Sequence, residues 1–213
     1  MKTTVWTIFA GVCLVVSVPQ SRASSICDSI ALNSVTNCGF ENGDFTGWQL
    51  LGNDVPTELG LQYGVEGTDP IDGISPNSGA YQAFFADLTS NPTTLSQTIT
   101  TIPGELYTVS WYLAQDTTPT VPYSNAFSAS FGGDTLADLT GISAQGYTFY
   151  TDQVGATSAS TTLSFTFGND LGEFLLDDVS VVAPEPSAWT LMLLVAGGCV
   201  FLLKRKVSQG VAK

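Results

Sequence analysis

The sequence predicts one all-β domain, a sandwich or a barrel, closed between two apolar ends. Three observations carry this. Short runs alternate apolar and polar residues with period two and are separated by Gly, Pro, Asn and Asp. Long apolar stripes at helical spacing are absent. Thr, Ser, Gly, Val, Phe and Tyr dominate the middle of the chain, a mix that suits pleated, half-buried surfaces.

The clearest strand is Leu106 to Ala114. Tyr107, Val109, Trp111 and Leu113 fall on one face, and Thr108, Ser110, Tyr112 and Ala114 on the other. In Thr162 to Gly168, Leu163, Phe165 and Phe167 alternate with Ser164 and Thr166. In Phe174 to Val182, Leu175, Asp177, Val179 and Val181 share parity, which turns the Asp177 side chain inward. Further strands are expected near 80–86, 95–101, 127–131 and 147–154. Pro103-Gly104 and Gly132-Gly133 read as turns, and Gln115 to Tyr123 as a Pro/Thr loop. The polar faces carry Thr and Ser, so a hydroxyl-rich surface is expected.

Charge narrows the function. The chain holds 6 Lys+Arg, 19 Asp+Glu and no His, for a net charge of −13. All the basic residues lie at the ends: Lys2, Arg22, Lys204, Arg205, Lys206 and Lys213. Nucleic-acid binding, which needs Lys/Arg to displace counterions, is excluded for the body. So are cationic phosphate clamps and His-based catalysis. A Ser nucleophile lacks its usual base, and only a carboxylate pair of the glycosidase kind remains for hydrolysis. The sequence is read as non-enzymatic.

The ends read as addresses. Residues 1–23 form a secretory signal peptide, with Lys2 ahead of an apolar run from Val5 to Val18. Ser21 and Ala23 are the small residues before the cleavage point. At the other end, Pro184-Glu185-Pro186 precedes the apolar run 188–203 and the basic tail 204–206. As a helix that run is ~24 Å long, a little under the ~30 Å hydrocarbon core. Trp189 and the basic residues can bridge the shortfall. The basic tail orients the C-terminus to the cytoplasm.

This ending, residues 183–213, resembles the PEP-CTERM sorting signal of Gram-negative bacteria: the tripeptide, a transmembrane run, then an Arg-containing basic cluster. Ala183 stands where the family often has Val. The resemblance implies processing near the motif by an exosortase, at least transient membrane insertion through 188–203, and export across the inner membrane. It also implies residence in the cell envelope or extracellular matrix, in exopolysaccharide and biofilm production.

With Cys13 in the signal peptide and Cys199 in the apolar run, Cys27 and Cys38 remain in the exported body. In an oxidising compartment they have one pairing. A disulfide is expected to staple the N-terminal strand, contributing ~2–3 kcal/mol.

The body carries a second resemblance. Asn37 to Trp48, NCGFENGDFTGW, is similar to the opening of jelly-roll carbohydrate-binding-like domains. Ser78-Gly79-Ala80-Tyr81, Leu95-Ser96-Gln97, Pro103 to Trp111 and Leu176 to Val181 resemble their later segments, in family order. Cys38 departs from the usual Gly. This resemblance implies a galactose-binding-like jelly-roll sandwich over 24–182. It further implies a structural calcium where the opening meets the last strand, carried onto Glu41 and Asp177, with Asp178 as alternate. The acids of 66–73 match no EF-hand ligand set and read as a solvated loop.

Sugar recognition uses aromatic faces and hydroxyl or amide hydrogen bonds. Tyr112, Tyr123 and Tyr63 are the exposed aromatic candidates. The expectation is a non-catalytic module associated with extracellular polysaccharide. The alternative is a structural or adhesive surface protein with no soluble ligand.

Overall fold

The computed structural model describes residues 24–52, 63–68 and 73–184. The signal peptide, Glu185, Pro186, the apolar run 188–203 and the basic tail lie outside the described residues. No helix among the described residues is long and apolar enough to cross a membrane.

One short helix, α1 (Ile26–Ser29), precedes ten strands: β1 (Gln49–Leu51), β2 (Tyr63–Glu66), β3 (Gln82–Phe85), β4 (Thr93–Thr100), β5 (Leu106–Gln115), β6 (Asn125–Phe131), β7 (Asp134–Thr140), β8 (Gln145–Gly155), β9 (Ser160–Asn169) and β10 (Phe174–Val182). They form two five-stranded sheets, ordered β1-β4-β9-β6-β7 and β2-β3-β10-β5-β8. Every pairing between named strands is antiparallel. The chain is an all-β sandwich, and it crosses repeatedly from one sheet to the other, as a jelly roll winds.

The core lies between the sheets and is aromatic. Phe85 of one sheet stacks on Phe167 of the other with ring centroids 3.8 Å apart. Trp111 packs edge-on against Phe165 at 5.6 Å. Tyr107, Val109, Trp111 and Leu113 are all buried, as the alternation predicts. At Pro103-Gly104 the Glu105 N–H donates to Ile102 O, and Gly104 takes φ 86. Gly132 and Gly133, both at positive φ, turn β6 into β7, the geometry of a tight hairpin.

Several expectations are corrected. The N-terminal segment forms α1 rather than a strand. Ser25 N and Oγ both donate to Asp28 Oδ2, and Asp28 N–H donates back to Ser25 O, which closes a helical turn. Strand β7 was not anticipated, because its sequence DTLADLT lacks apolar alternation; it lies at a sheet edge, half exposed. Strands β1 and β2 are short edge strands with no sequence signal of their own.

The inward parity of Asp177 is also corrected. A register shift separates Asp177 from Ser180, and Asp178 takes φ 50. This bulge leaves Phe174 and Leu176 in the core before it and Val179 and Val181 after it. Leu175 and Asp177 face the other side of the sheet, opposite Ala114 and Tyr112. That side is not a uniformly wet hydroxyl surface. Ser110 and Ser180 are buried there, hydroxyl to hydroxyl at 2.7 Å.

Candidate functional site

Two sites flank the outer side of the β2-β3-β10-β5-β8 sheet. The first gathers the residues expected to hold calcium. Cys27 and Cys38 form the expected disulfide, with Cα atoms 6.1 Å apart. It ties α1 to the segment that carries Glu41. The Glu41 carboxylate accepts the N–H groups of Ala80, at 2.9 Å, and Tyr81, at 3.2 Å. Gly79, at φ 70, makes this approach possible, since a Cβ there would stand 2.1 Å from Glu41 Oε1.

The two aspartates of the bulge are fully covered, Asp177 at 0 % and Asp178 at 2 % exposure. Asp178 accepts the Cys27 N–H at 3.1 Å, the Asn77 amide at 2.7 Å and the Ser78 hydroxyl at 2.7 Å. Asp177 accepts the N–H groups of Ser78, at 3.2 Å, and of Asp178, at 2.7 Å. Burial, followed by the charge of Asp178, pushes the Asp177 carboxyl up to about 8 against these donors.

Glu41, Asp177 and Asp178 therefore do not fit a shared calcium cage. Their oxygens already accept N–H and O–H donors. Among the described residues, the three acid or thiol groups whose ligand atoms come within 4.8 Å of one another are Cys27, Asp28 and Cys38. The two sulfurs of that group are spent in the disulfide. Beside it opens a recess of about 430 Å³ lined by Ser24, Asp28, Asn37, Cys38, Gly39, Glu41 and Asn42.

The second site is an aromatic surface on the same side of the sheet, with the Gln82 amide buried beneath it. Tyr112 of β5 pairs across the ladder with Phe149 of β8. Their rings lie 5.0 Å apart, tilted by 48°. Tyr112 is half-buried, while Phe149 is 52 % exposed. Farther along the face, the Tyr147 hydroxyl donates to Gln82 Oε1 at 2.8 Å. The Gln82 amide donates to Glu66 Oε1 at 3.3 Å and Ile74 O at 3.0 Å. Burial, with the negative charges of Asp177, Asp178 and Glu66, pushes the Tyr147 phenol far up, so it stays a neutral donor. Phe84 lies over Gly64, where a Cβ would stand 2.5 Å from its ring.

The aromatic candidates thus divide. Tyr112 does sit on the open side of the sheet. Tyr123 is exposed, but on the loop beyond the end of β5, after the cis Val121-Pro122 bond. Tyr63 is corrected: it is half-buried, its ring 6.3 Å from Phe45 and packed against the core. Phe149 was missed. Aromatic residues occupy both parities of Tyr147-Thr148-Phe149-Tyr150, so alternation alone could not say which ring faces out. Tyr150 is the inward one, stacked on Trp111 at 5.6 Å.

No protein-family model and no curated protein matches this chain. Similar solved structures include a family 61 carbohydrate-binding module in complex with β-1,4-galactotriose. It is 18 % identical, with 71 % of this chain and 99 % of that one covered and a TM-score of 0.49. The CBM22-1 xylan-binding domain from Paenibacillus barcinonensis Xyn10C is 15 % identical, covers 70 % and 93 %, and has a TM-score of 0.46. The CBM22-1 and GH10 modules of Clostridium thermocellum xylanase 10B, complexed with xylohexaose, are 18 % identical, and the match takes in 73 % of this chain and 29 % of that one at a TM-score of 0.46. At TM-scores below 0.5 these likenesses carry no argument, and the sandwich rests on its own strand order and register.

Proposed function

We propose that this chain is an exported envelope or extracellular-matrix protein, processed by an exosortase, whose sandwich binds extracellular polysaccharide without catalysis. The observation that carries the binding role is the Tyr112–Phe149 pair on the open side of the β2-β3-β10-β5-β8 sheet. A half-exposed ring on a rigid strand offers a stacking plane for a pyranose at little entropic cost. On the same face the half-buried Tyr147 presents its ring edge, its hydroxyl held by the fully buried Gln82. The hydroxyl-rich strands fit a polar, neutral polymer. A dense negative charge without cations fits poorly with an acidic one.

Export and sorting rest on the sequence: the signal peptide at 1–23 and Pro184-Glu185-Pro186 ahead of 188–203. Substituting Pro184 and Glu185 with Ala is expected to leave the precursor unprocessed in a host that expresses an exosortase. Processing of that variant at the normal rate would argue for a plain membrane anchor.

A glycan array with the purified full chain tests the binding role. Saturable binding to a defined glycan is expected, with Phe149→Ala weakening it about tenfold, the order of a lost stacking contact. A flat array would favour the structural or adhesive reading. Saturable binding untouched by Phe149→Ala and Tyr112→Ala would move the site elsewhere.

A further inference from the structure

The outgoing chain leaves the sandwich between exposed apolar side chains. Val182, the last residue of β10, pairs with Thr108 of β5. Continuing that register brings Pro184 level with Leu106, which is 48 % exposed. On the other flank of β10, the bridge from Asn33 to Val182 sets Leu32 beside the exit, 63 % exposed. Ile102, 62 % exposed, stands in the turn from β4 to β5 at the same end.

The backbone that presents these side chains is fixed. The Asn33 amide donates to Cys27 O and Val179 O, both at 3.2 Å, and its Oδ1 accepts the Val35 and Val181 N–H groups. Ser34 N–H donates to Val181 O at 2.9 Å. Leu32 takes φ 63, a conformation that a leucine adopts where its surroundings impose it. In the turn, Ile102 N–H donates to the buried Tyr107 hydroxyl at 2.9 Å. Thr101 N–H and Gly104 N–H tie the turn to Ala159 O and Ala156 O of the β8–β9 loop.

Charge sets this end apart. Glu105 is the single acid in segments 30–36, 101–106 and 156–159, and Asp134 opens β7 on the other sheet. The opposite end carries Asp87, Asp116, Asp170 and Glu173 in the loops 86–92, 116–124 and 170–173. Asp170 knots those loops together. It accepts the N–H and hydroxyl of Thr89, at 2.9 and 2.7 Å, and those of Ser124, at 3.0 and 2.9 Å. Asn91 N–H goes to Leu88 O.

The length of the link beyond Pro184 identifies what the apolar end meets. The apolar run begins at Ala188, four residues on. At ~3.5 Å per residue that link reaches at most ~14 Å. A headgroup layer of about 5–8 Å on each side of the hydrocarbon core takes up roughly half of it. Exposed apolar side chains rimmed by hydroxyl and amide groups suit such a boundary. An acid-poor end is also repelled less by anionic lipid than an acid-rich one.

We infer that Leu32, Ile102 and Leu106 form a lipid-contact patch that seats this end of the sandwich on the bilayer surface. The inference rests on the reading of 188–203 as a membrane run. It stands the Asp170 end farthest from the lipid and leaves the Tyr112–Phe149 pair on a side wall, open to a polymer.

The test uses the full chain carrying Cys13→Ala and Cys199→Ala, floated with vesicles of phosphatidylethanolamine and phosphatidylglycerol. A thiol fluorophore is placed at Thr157→Cys, in the exposed β8–β9 loop, or at Val121→Cys, 97 % exposed at the acid-rich end. Doxyl-labelled lipid is expected to quench the fluorophore at 157 and not at 121. Replacing Leu32, Ile102 and Leu106 by Ser is expected to keep flotation and to lose the quenching at 157. Flotation without quenching at 157 would overturn the inference and leave the membrane run standing, whereas failure to float would overturn both. Quenching unchanged by the triple Ser variant would mean that the link alone sets the contact, and would overturn the patch. Protection of 157 that follows protein density rather than lipid would give the patch to a second copy, and would overturn it too.

Discussion

The two ends of this sandwich treat buried carboxylates differently. At the N-terminal end, Glu41, Asp177 and Asp178 are met by backbone N–H groups and short side chains from α1 and the 77–81 loop. At the other end, Asp87 is covered almost as completely and has only the Thr93 hydroxyl beside it, with no backbone N–H. Both ends lack basic residues, so the difference is not one of protein charge. A loop can neutralise a carboxylate with peptide dipoles only if its N–H groups point inward at the right distance. The 77–81 loop does this through Ser78, Ala80 and Tyr81. The 88–92 loop spends its donors on Asp170 and on itself.

The largest test of the first end is the disulfide. Replacing Cys27 and Cys38 by Ser is expected to lower stability by about 3 kcal/mol in denaturant unfolding, because it releases α1 and the donors it brings to Asp178. A loss near zero would mean that the loop holds the carboxylates unaided. Asp178→Ala is expected to cost about 2 kcal/mol, since Cys27 N–H, Asn77 and Ser78 each lose a buried acceptor. A neutral outcome would break the claim that those donors are committed to it.

The pH dependence sharpens the comparison further. Asp177 titrates near 8 in the folded chain against 3.8 for a free carboxyl. A raised value means that the folded state holds the proton longer than the unfolded state. Its contribution is therefore fully present below about 3.8 and is lost as pH rises toward 8. Wild type is expected to lose stability between pH 4 and 8 more steeply than Asp177→Asn. Identical slopes would show that the hydrogen bonds from Ser78 and Asp178 outweigh burial. The smallest effect is expected at Asp170, where four hydrogen bonds share the work. Ser124→Ala removes one of them and should cost about 1 kcal/mol by denaturant unfolding.

Much of the fold was legible because alternation is a local property. Strands β3, β4, β5, β6, β8, β9 and β10 all overlap the runs read from the sequence. The edge strands β1, β2 and β7 were not legible, and β7, half exposed, needs no apolar face to pair. The carboxylates were legible as residues but not as a site. Asp177 was expected inward by counting parity from Leu175, and a bulge at Asp178 removed that inference. Its burial survived for a different reason, the cover laid over the outer side of the sheet. Phe149 escaped notice because two adjacent aromatics, one on each face, leave the pattern symmetric.

By itself the sequence determined the strand-rich body, the disulfide partners and the absence of any cation among residues 24–184. These follow from composition and short-range periodicity, which no long-range contact can change. The tertiary structure decided which carboxylates acquire donors, which aromatic rings stay open and which side of β10 carries Asp177. Each of these depends on residues far apart in the chain, such as Ser78 with Asp178 or Tyr112 with Phe149. Their meeting is set by register and loop path, and neither is encoded within a single strand.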